Sequence, residues 1–204
     1  MSRPSLPLAM RLSQATTSRR SPSTALRRRR LPDLPATPFA IEAASAADLP
    51  LIARLAHEIW HRHYPGIIAA AQIDYMLGRG YTNDALASYL ATRDAGLALA
   101  MRAEAAVGFV GWIPLQPGRT MKLDKLYVLP EHHRGGIGRA LIEHVVEHAR
   151  MAGCNAVTLN VNRGNVGAVR AYERCGFAIR ERGDFPIGSG FVMEDWVMAR
   201  ELHR

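Results

Sequence analysis

The chain has 204 residues, 48% hydrophobic and 22% charged, with 26 Lys plus Arg against 18 Asp plus Glu for a formal charge of +8. That apolar share excludes disorder throughout, and no apolar run approaches the roughly 20 residues a bilayer helix needs. Two cysteines, Cys154 and Cys175, form no C-x-x-C pair; they suit a reducing, cytoplasmic setting and supply no disulfide or zinc framework.

The charge is unevenly placed. Up to residue 37 there are eight arginines and one acid, or +7; from residue 38 onward 18 bases face 17 acids, or +1. Residues 1–37 are rich in Arg, Ser and Pro, lack a period of 2 or 3.6, and read as a disordered basic extension. Their composition fits an organelle transit segment, a weak nucleic-acid contact through Arg27 to Arg30, or an extension without function. Arg19-Arg20 is followed by no apolar stretch and is not read as an export signal.

Residues 38–204 read as one folded domain. Phe39 to Ala43 is a short strand, and Ser45 to Asp48 supplies capping residues for a helix over Leu49 to His63, with Leu51, Leu55 and Ile59 on one face. A second helical region runs from Ala69 to Leu90, broken near Gly78-Arg79-Gly80. Leu97 to Arg102 and Val107 to Pro114 form a hairpin, and Met121 to Leu129 a longer strand. A helix over Ile137 to Ala152, a strand over Ala156 to Val161 and a helix over Val166 to Cys175 follow. Phe177 to Arg182 and Phe191 to Met198 are the last strands. Strands alternating with helices predict an α/β domain with a mixed sheet.

The most informative stretch is Leu126-Tyr127-Val128-Leu129-Pro130, which runs through Glu131-His132-His133-Arg134 into Gly135-Gly136-Ile137-Gly138-Arg139. An apolar strand meets three glycines, and an amphipathic helix starts at once, with Ile137, Leu141, Val145 and Ala149 on one face. Glycines let backbone approach a ligand closely, and a helix start aims free N–H groups at an anion. Arg134 and Arg139 add charge there. The pattern is a pyrophosphate cradle, though neither a Walker loop nor G-x-G-x-x-G.

A rival pattern lies upstream. His57-Glu58-Ile59-Trp60-His61 is a literal H-E-x-x-H on a helix, the spacing of a zinc hydrolase, but no third ligand follows at the usual distance. His144 and His148 alternate with Glu143 and Glu147 and read as a solvated face.

The glycine stretch resembles the GNAT (Gcn5-related) N-acetyltransferases, whose hallmark V-x-P-x-x-(Q/R)-x-x-G-x-G/A places Val128, Pro130, Gly136 and Gly138 in register. The Gln/Arg position falls on His133, and Arg134 stands one residue late. Asn165, Ala168, Tyr172, Gly176 and Phe177 are similar to a second signature of the same family. The resemblance implies a mostly antiparallel sheet splayed between its fourth and fifth strands and flanked by helices. It also implies acetyl-CoA as co-substrate, no metal, and direct attack of an amine on the thioester.

Residue by residue, the resemblance implies that Leu126, Tyr127 and Val128 pair with the pantetheine arm. The loop and helix start would bind the pyrophosphate through His133, Arg134, Gly135, Gly136, Ile137, Gly138 and Arg139, with Asn165 and Tyr172 also on the cofactor. Tyr172 would serve the leaving thiolate. Asp124 is the expected base, on one strand face with Lys122, Leu126 and Val128. Glu58, Trp60 and Tyr64 are expected to line the acceptor site. The expected acceptor is a small primary amine, polyamine-like or amino-acid-like, given Asp74, Asp84 and the acids of the closing stretch Asp184 to Asp195. A protein N-terminus is the alternative acceptor, and a homodimer is left open.

Overall fold

The structure is a computed structural model that describes residues 38–202, so the expected basic extension lies outside the described residues. Strand β1 (Phe39–Ala43) pairs antiparallel with β2 (Gly96–Arg102), β2 with β3 (Ala105–Leu115), and β3 with β4 (Thr120–Val128). β4 runs parallel to β5 (Ala156–Asn162). β5 pairs antiparallel with β7 (Phe191–Glu201), and β7 with the edge strand β6 (Ala178–Gly188). The sheet order is therefore β1-β2-β3-β4-β5-β7-β6.

Helices cover both faces. On one, α1 (Leu49–His63), α2 (Ala70–Gly80) and α3 (Asn83–Ala91) pack over Leu97, Leu99 and Phe109. α1 turns Ile52, Leu55, Ala56, Ile59 and Trp60 inward at helical spacing. On the other, α4 (Ile137–Met151) buries Ile137, Leu141, Ile142, Val145, Val146 and Ala149 against Val110, Met121, Leu123, Val157 and Leu159. Each aliphatic side chain so removed from water contributes about 1.5–3 kcal/mol. α5 (Val166–Arg174) joins the same face through Ala168, Val169 and Tyr172.

The sequence reading differs from the structure in several of its elements. The helical break falls at Tyr81-Thr82, because the Thr82 hydroxyl accepts from the Ala85 N–H and starts a new helix, while Gly78 and Gly80 stay helical. β6 extends to Gly188, well past Arg182, held by its ladder with β7. His144 and His148 are not a solvated face. Their rings lie tilted against each other at 4.4 Å and pack on Trp112 of β3 at 5.4 and 4.6 Å.

Two irregularities in β4 make the site. β4 and β5 are paired only from Thr120 to Lys122 against Ala156 to Thr158; beyond that they diverge and split the sheet. Gly111 opposes Lys125 while Trp112 opposes Leu123, so Asp124 is the extra residue of a β-bulge. A bulge resets the alternation of side chains. Met121, Leu123, Leu126 and Val128 all face the α4 side, whereas Lys125 and Tyr127 face the α1 side. The expected common face of Asp124 with Leu126 and Val128 is therefore corrected by one inserted residue.

Candidate active site

The split between β4 and β5 opens a cavity of about 1130 Å³ that runs through the sheet, lined from one face by Trp60, Tyr64 and Lys125 and from the other by Gly138, Ala168 and Tyr172. The glycine loop stands at its mouth. Successive peptide N–H groups of an extended strand point to opposite sides. The Leu129 N–H is bound to the Val107 carbonyl on β3, at 2.9 Å, so the Val128 N–H points the other way, into the gap.

The loop is held by its own backbone, with the His132 and His133 N–H groups donating to the Leu129 and Pro130 carbonyls at 2.9 and 3.1 Å, and by side chains. His133 Nε2 donates to the Val128 carbonyl at 2.9 Å, which answers what replaces the expected Gln or Arg: an imidazole pinning the strand end. Arg102 of β2 reaches His132 Nδ1 at 3.2 Å and lies against Gly135. Arg134 adopts φ +62°, a left-handed conformation that is costly for a residue with a Cβ and typical of functional loops. Gly136, at φ +82°, caps α4.

Gly138, like Gly78 of α2 and Gly167 of α5, stands in open space. A Cβ there would meet no protein atom within 4 Å, so nothing in the protein demands glycine in this first helical turn. Glycine costs about 0.5–1 kcal/mol there relative to alanine, which makes sense where another molecule must approach the backbone. The Ile137 side chain is buried in the core, which leaves only its N–H to face the loop. Arg134 and Arg139 line the cavity as expected, and α5 adds Arg170 and Arg174, which the sequence reading missed. Arginines one turn apart on an amphipathic helix were the available signal.

Asn165, expected on the cofactor, lines the cavity. Its Oδ1 accepts from the Ala168 N–H at 3.2 Å and caps α5, so its Nδ2 is the atom that donates to His63 Nε2 at 2.9 Å. Both ends of the amide are engaged within the protein. This geometry fixes His63 as the neutral tautomer protonated on Nδ1, and burial pushes its pKa below the ordinary imidazole value. His63 lines the cavity and was not among the expected site residues.

Tyr172 lies in the cleft wall against Phe177, ring centroids 5.8 Å apart, and burial pushes its phenol upward, with Cys175 adding to the shift. Trp60 and Tyr64 line the cavity with their rings 4.4 Å apart. Tyr127 joins them, and its hydroxyl accepts from Tyr81 at 3.0 Å. Glu58 does not reach the cavity. It is exposed on α1 and paired with Arg62 at 3.0 Å, while Arg62 also holds Glu131 at 2.9 Å. Helical geometry explains the difference, since Glu58 falls on the face opposite Ile59 and Trp60.

The H-E-x-x-H residues lie on that same outer face. His61 Nδ1 and Nε2 are engaged by the His57 carbonyl and Asp74. Among the described residues no group of three or more His, Cys, Asp or Glu is placed to hold a metal ion.

Asp124 sits at the centre of a closed charge cluster. Lys122 Nζ lies 2.9 Å from one carboxylate oxygen, and Lys125 Nζ and the Tyr89 hydroxyl reach the other. Burial alone would raise this carboxyl, but Lys125, Lys122 and Tyr89 outweigh it and hold its pKa at about 2. Lys125, only 7% exposed, also lies over the Tyr81 ring at 4.3 Å. A carboxylate so saturated is a poor proton acceptor.

The mixed sheet is thus split beside a glycine-rich helix start, and the split leaves a cleft lined from both faces. The sequence model of the acetyltransferase (GNAT) family matches residues 55–177, more than half of the chain, and the chain belongs to this family. An uncharacterized N-acetyltransferase of Mycobacterium tuberculosis is 39% identical over 95 residues, 46% of this chain and 60% of that protein. The streptothricin acetyltransferase of Streptomyces lavendulae is 35% identical over 74 residues, 36% of each chain. The chain thus spans less than two thirds of the length of these curated relatives. The PaiA N-acetyltransferase of Thermoplasma acidophilum, solved in complex with coenzyme A, superposes with a TM-score of 0.70 at 21% identity, covering 81% of this chain and 99% of that one. At that identity the likeness shows the fold.

Proposed function

We propose that this chain transfers the acetyl group of acetyl-CoA to the primary amine of a small molecule. The observation that carries the reading is the cleft between β4 and β5, with an open Gly138 at a helix start on one side and buried charged groups on the other. Backbone N–H groups at the start of α4, with Arg134 and Arg139, would hold the pyrophosphate. The unpaired edge of β4 would take the pantetheine arm as an added strand, which places a thioester in the gap.

The chain's own groups then divide the work. The Val128 N–H would donate to the thioester carbonyl oxygen as it gains charge. Tyr172, held protonated by burial, would donate a hydrogen bond to the departing sulfur. The buried rings of Trp60 and Tyr64, with the half-buried ring of Tyr127, would exclude water from the acceptor side.

Between the two small-molecule classes expected, the charges favour an amine with one cationic centre over a polyamine. Asp184 and Glu194 are both engaged by Arg163, at 2.6 and 3.1 Å, and Asp74 by His61. Lys122 and Lys125 would repel a second ammonium. Met76, Phe185, Ile187 and Met193 instead offer an apolar wall.

The test is a thiol-release assay with acetyl-CoA over alkyl and aralkyl monoamines, polyamines, amino acids and short peptides, with and without EDTA. Turnover of monoamines or amino acids, insensitive to EDTA, is expected. Preference for peptide N-termini would move the acceptor class to protein ends. Absence of acetyl-CoA binding would overturn the reading.

A further inference from the structure

A second carboxylate in the cleft, Asp195 of β7, falls outside every motif in the chain. It stands opposite Asn162, at the open end of β5. Its neighbour Trp196 packs toward the α4 side, so strand alternation turns Asp195 to the other face, the side of Lys125 and Tyr127. It is 6% exposed, it lines the cavity, and its Oδ1 is buried without a hydrogen-bond partner among the described residues. An unpartnered buried carboxylate oxygen is costly, and such a group persists where a ligand or proton completes it.

The groups around it explain why its Oδ1 stays without a partner. Lys122 from β4 is taken by Asp124, and Arg163, just past β5, is taken by Asp184 and Glu194. Tyr64, at the end of α1, is the other titratable group facing it. Burial raises its carboxyl pKa, outweighing the Asn160 amide and the cations Lys122 and Arg163. The two carboxylates of the cleft thus sit in opposite environments, the arrangement that separates a structural acid from a working one.

We propose that Asp195, and not Asp124, accepts the proton of the acceptor's ammonium group; the assignment rests on the transferase reading above. Asp195 takes one proton from R–NH3+, directly or through one water, and the freed lone pair forms the C–N bond as the C–S bond breaks. The nitrogen's second proton, shed as the amide forms, balances the one the sulfur acquires. Asp195 returns its proton to solvent when product leaves. The acceptor that fits is a primary amine whose ammonium meets Asp195 while its carbon skeleton lies along Phe185, Ile187 and Met193.

Carboxyl carbon NMR of the full chain, with Asp195→Asn to assign the resonance, tests this without turnover. An Asp195 signal titrating above the ordinary aspartate range, and shifting on addition of phenethylamine, is expected; titration at or below about pH 4 with no shift would overturn the assignment. In steady state, Asp195→Asn is expected to lower kcat/KM at least ~100-fold and remove the acid limb of the pH profile. Acetyl-CoA affinity should stay within about twofold, and Asp195→Glu should restore part of the rate. An unchanged pH profile in Asp195→Asn would overturn it as well. Failure of the transferase reading looks different: the wild-type chain would neither bind acetyl-CoA nor release thiol with any amine.

Discussion

Asp124 and Asp195 are the same residue type on opposite sides of one cleft, and their surroundings set their chemistry apart. Asp124 is bound by two lysines and a tyrosine, so removing its charge leaves Lys125 buried without a counter-ion. Asp124→Asn should therefore cost about 2–4 kcal/mol of stability, a fall in Tm of roughly 5–15 °C, readable by calorimetry. A base without structural duty would show no such loss. Tyr172→Phe keeps the ring packed on Phe177 and deletes only the hydroxyl. It should lower kcat about 10-fold or more with acetyl-CoA affinity nearly unchanged; equal kcat would remove Tyr172 from the leaving-group role. Asn165, His63 and His133 show how much of a site lies in side chains that orient other groups. Their residue types were visible, but which atom meets which partner depends on contacts between helices distant in sequence.

Helix α4 joins two functions in fifteen residues. Its first turn is built to be approached, and Gly138→Val, whose Cβ meets no protein atom, should leave Tm within about 2 °C while weakening acetyl-CoA binding at least ~10-fold. Calorimetric binding measurements check both. Its middle carries His144, whose Nε2 is buried without a partner among the described residues and whose pKa burial pushes below the ordinary 6.5, with His148 adding to the shift. The sign follows directly: the folded chain resists protonation, so stability is full above pH 6.5 and is lost as pH falls through the lowered folded value. Melting curves should show Tm dropping below pH 6.5, and His144→Gln should flatten that drop; an identical slope in the variant would refute the linkage. The periodicity of α4 made its core face legible at once. The contact of His144 and His148 with Trp112 was not legible, because nothing in the helix itself says which strand lies beneath its flank.

At the scale of the whole molecule, the cleft is the place where the sheet does not close. A ligand that fills it joins the α4 and α5 side to the α1 side and stabilises the fold by mass action. At 100 times its Kd, acetyl-CoA should contribute about 2.7 kcal/mol, a rise in Tm of roughly 5–11 °C absent with free acetate; no rise would contradict the cleft as the binding site. The sequence by itself determined the alternation of strands and helices, the glycine turn before α4, the Asn-to-Phe signature of α5 and the family they resemble, because these are set by spacing along the chain. It also placed Tyr172, whose position follows from its helix. Only the tertiary structure decided that Asp124 is a bulge residue neutralised from three sides, that Glu58 faces outward, and that Asp195 is buried in the cleft with its Oδ1 unpartnered among the described residues. Strand register, bulges and the partners of buried groups arise from contacts between segments up to 121 residues apart, and local patterning carries no information about them.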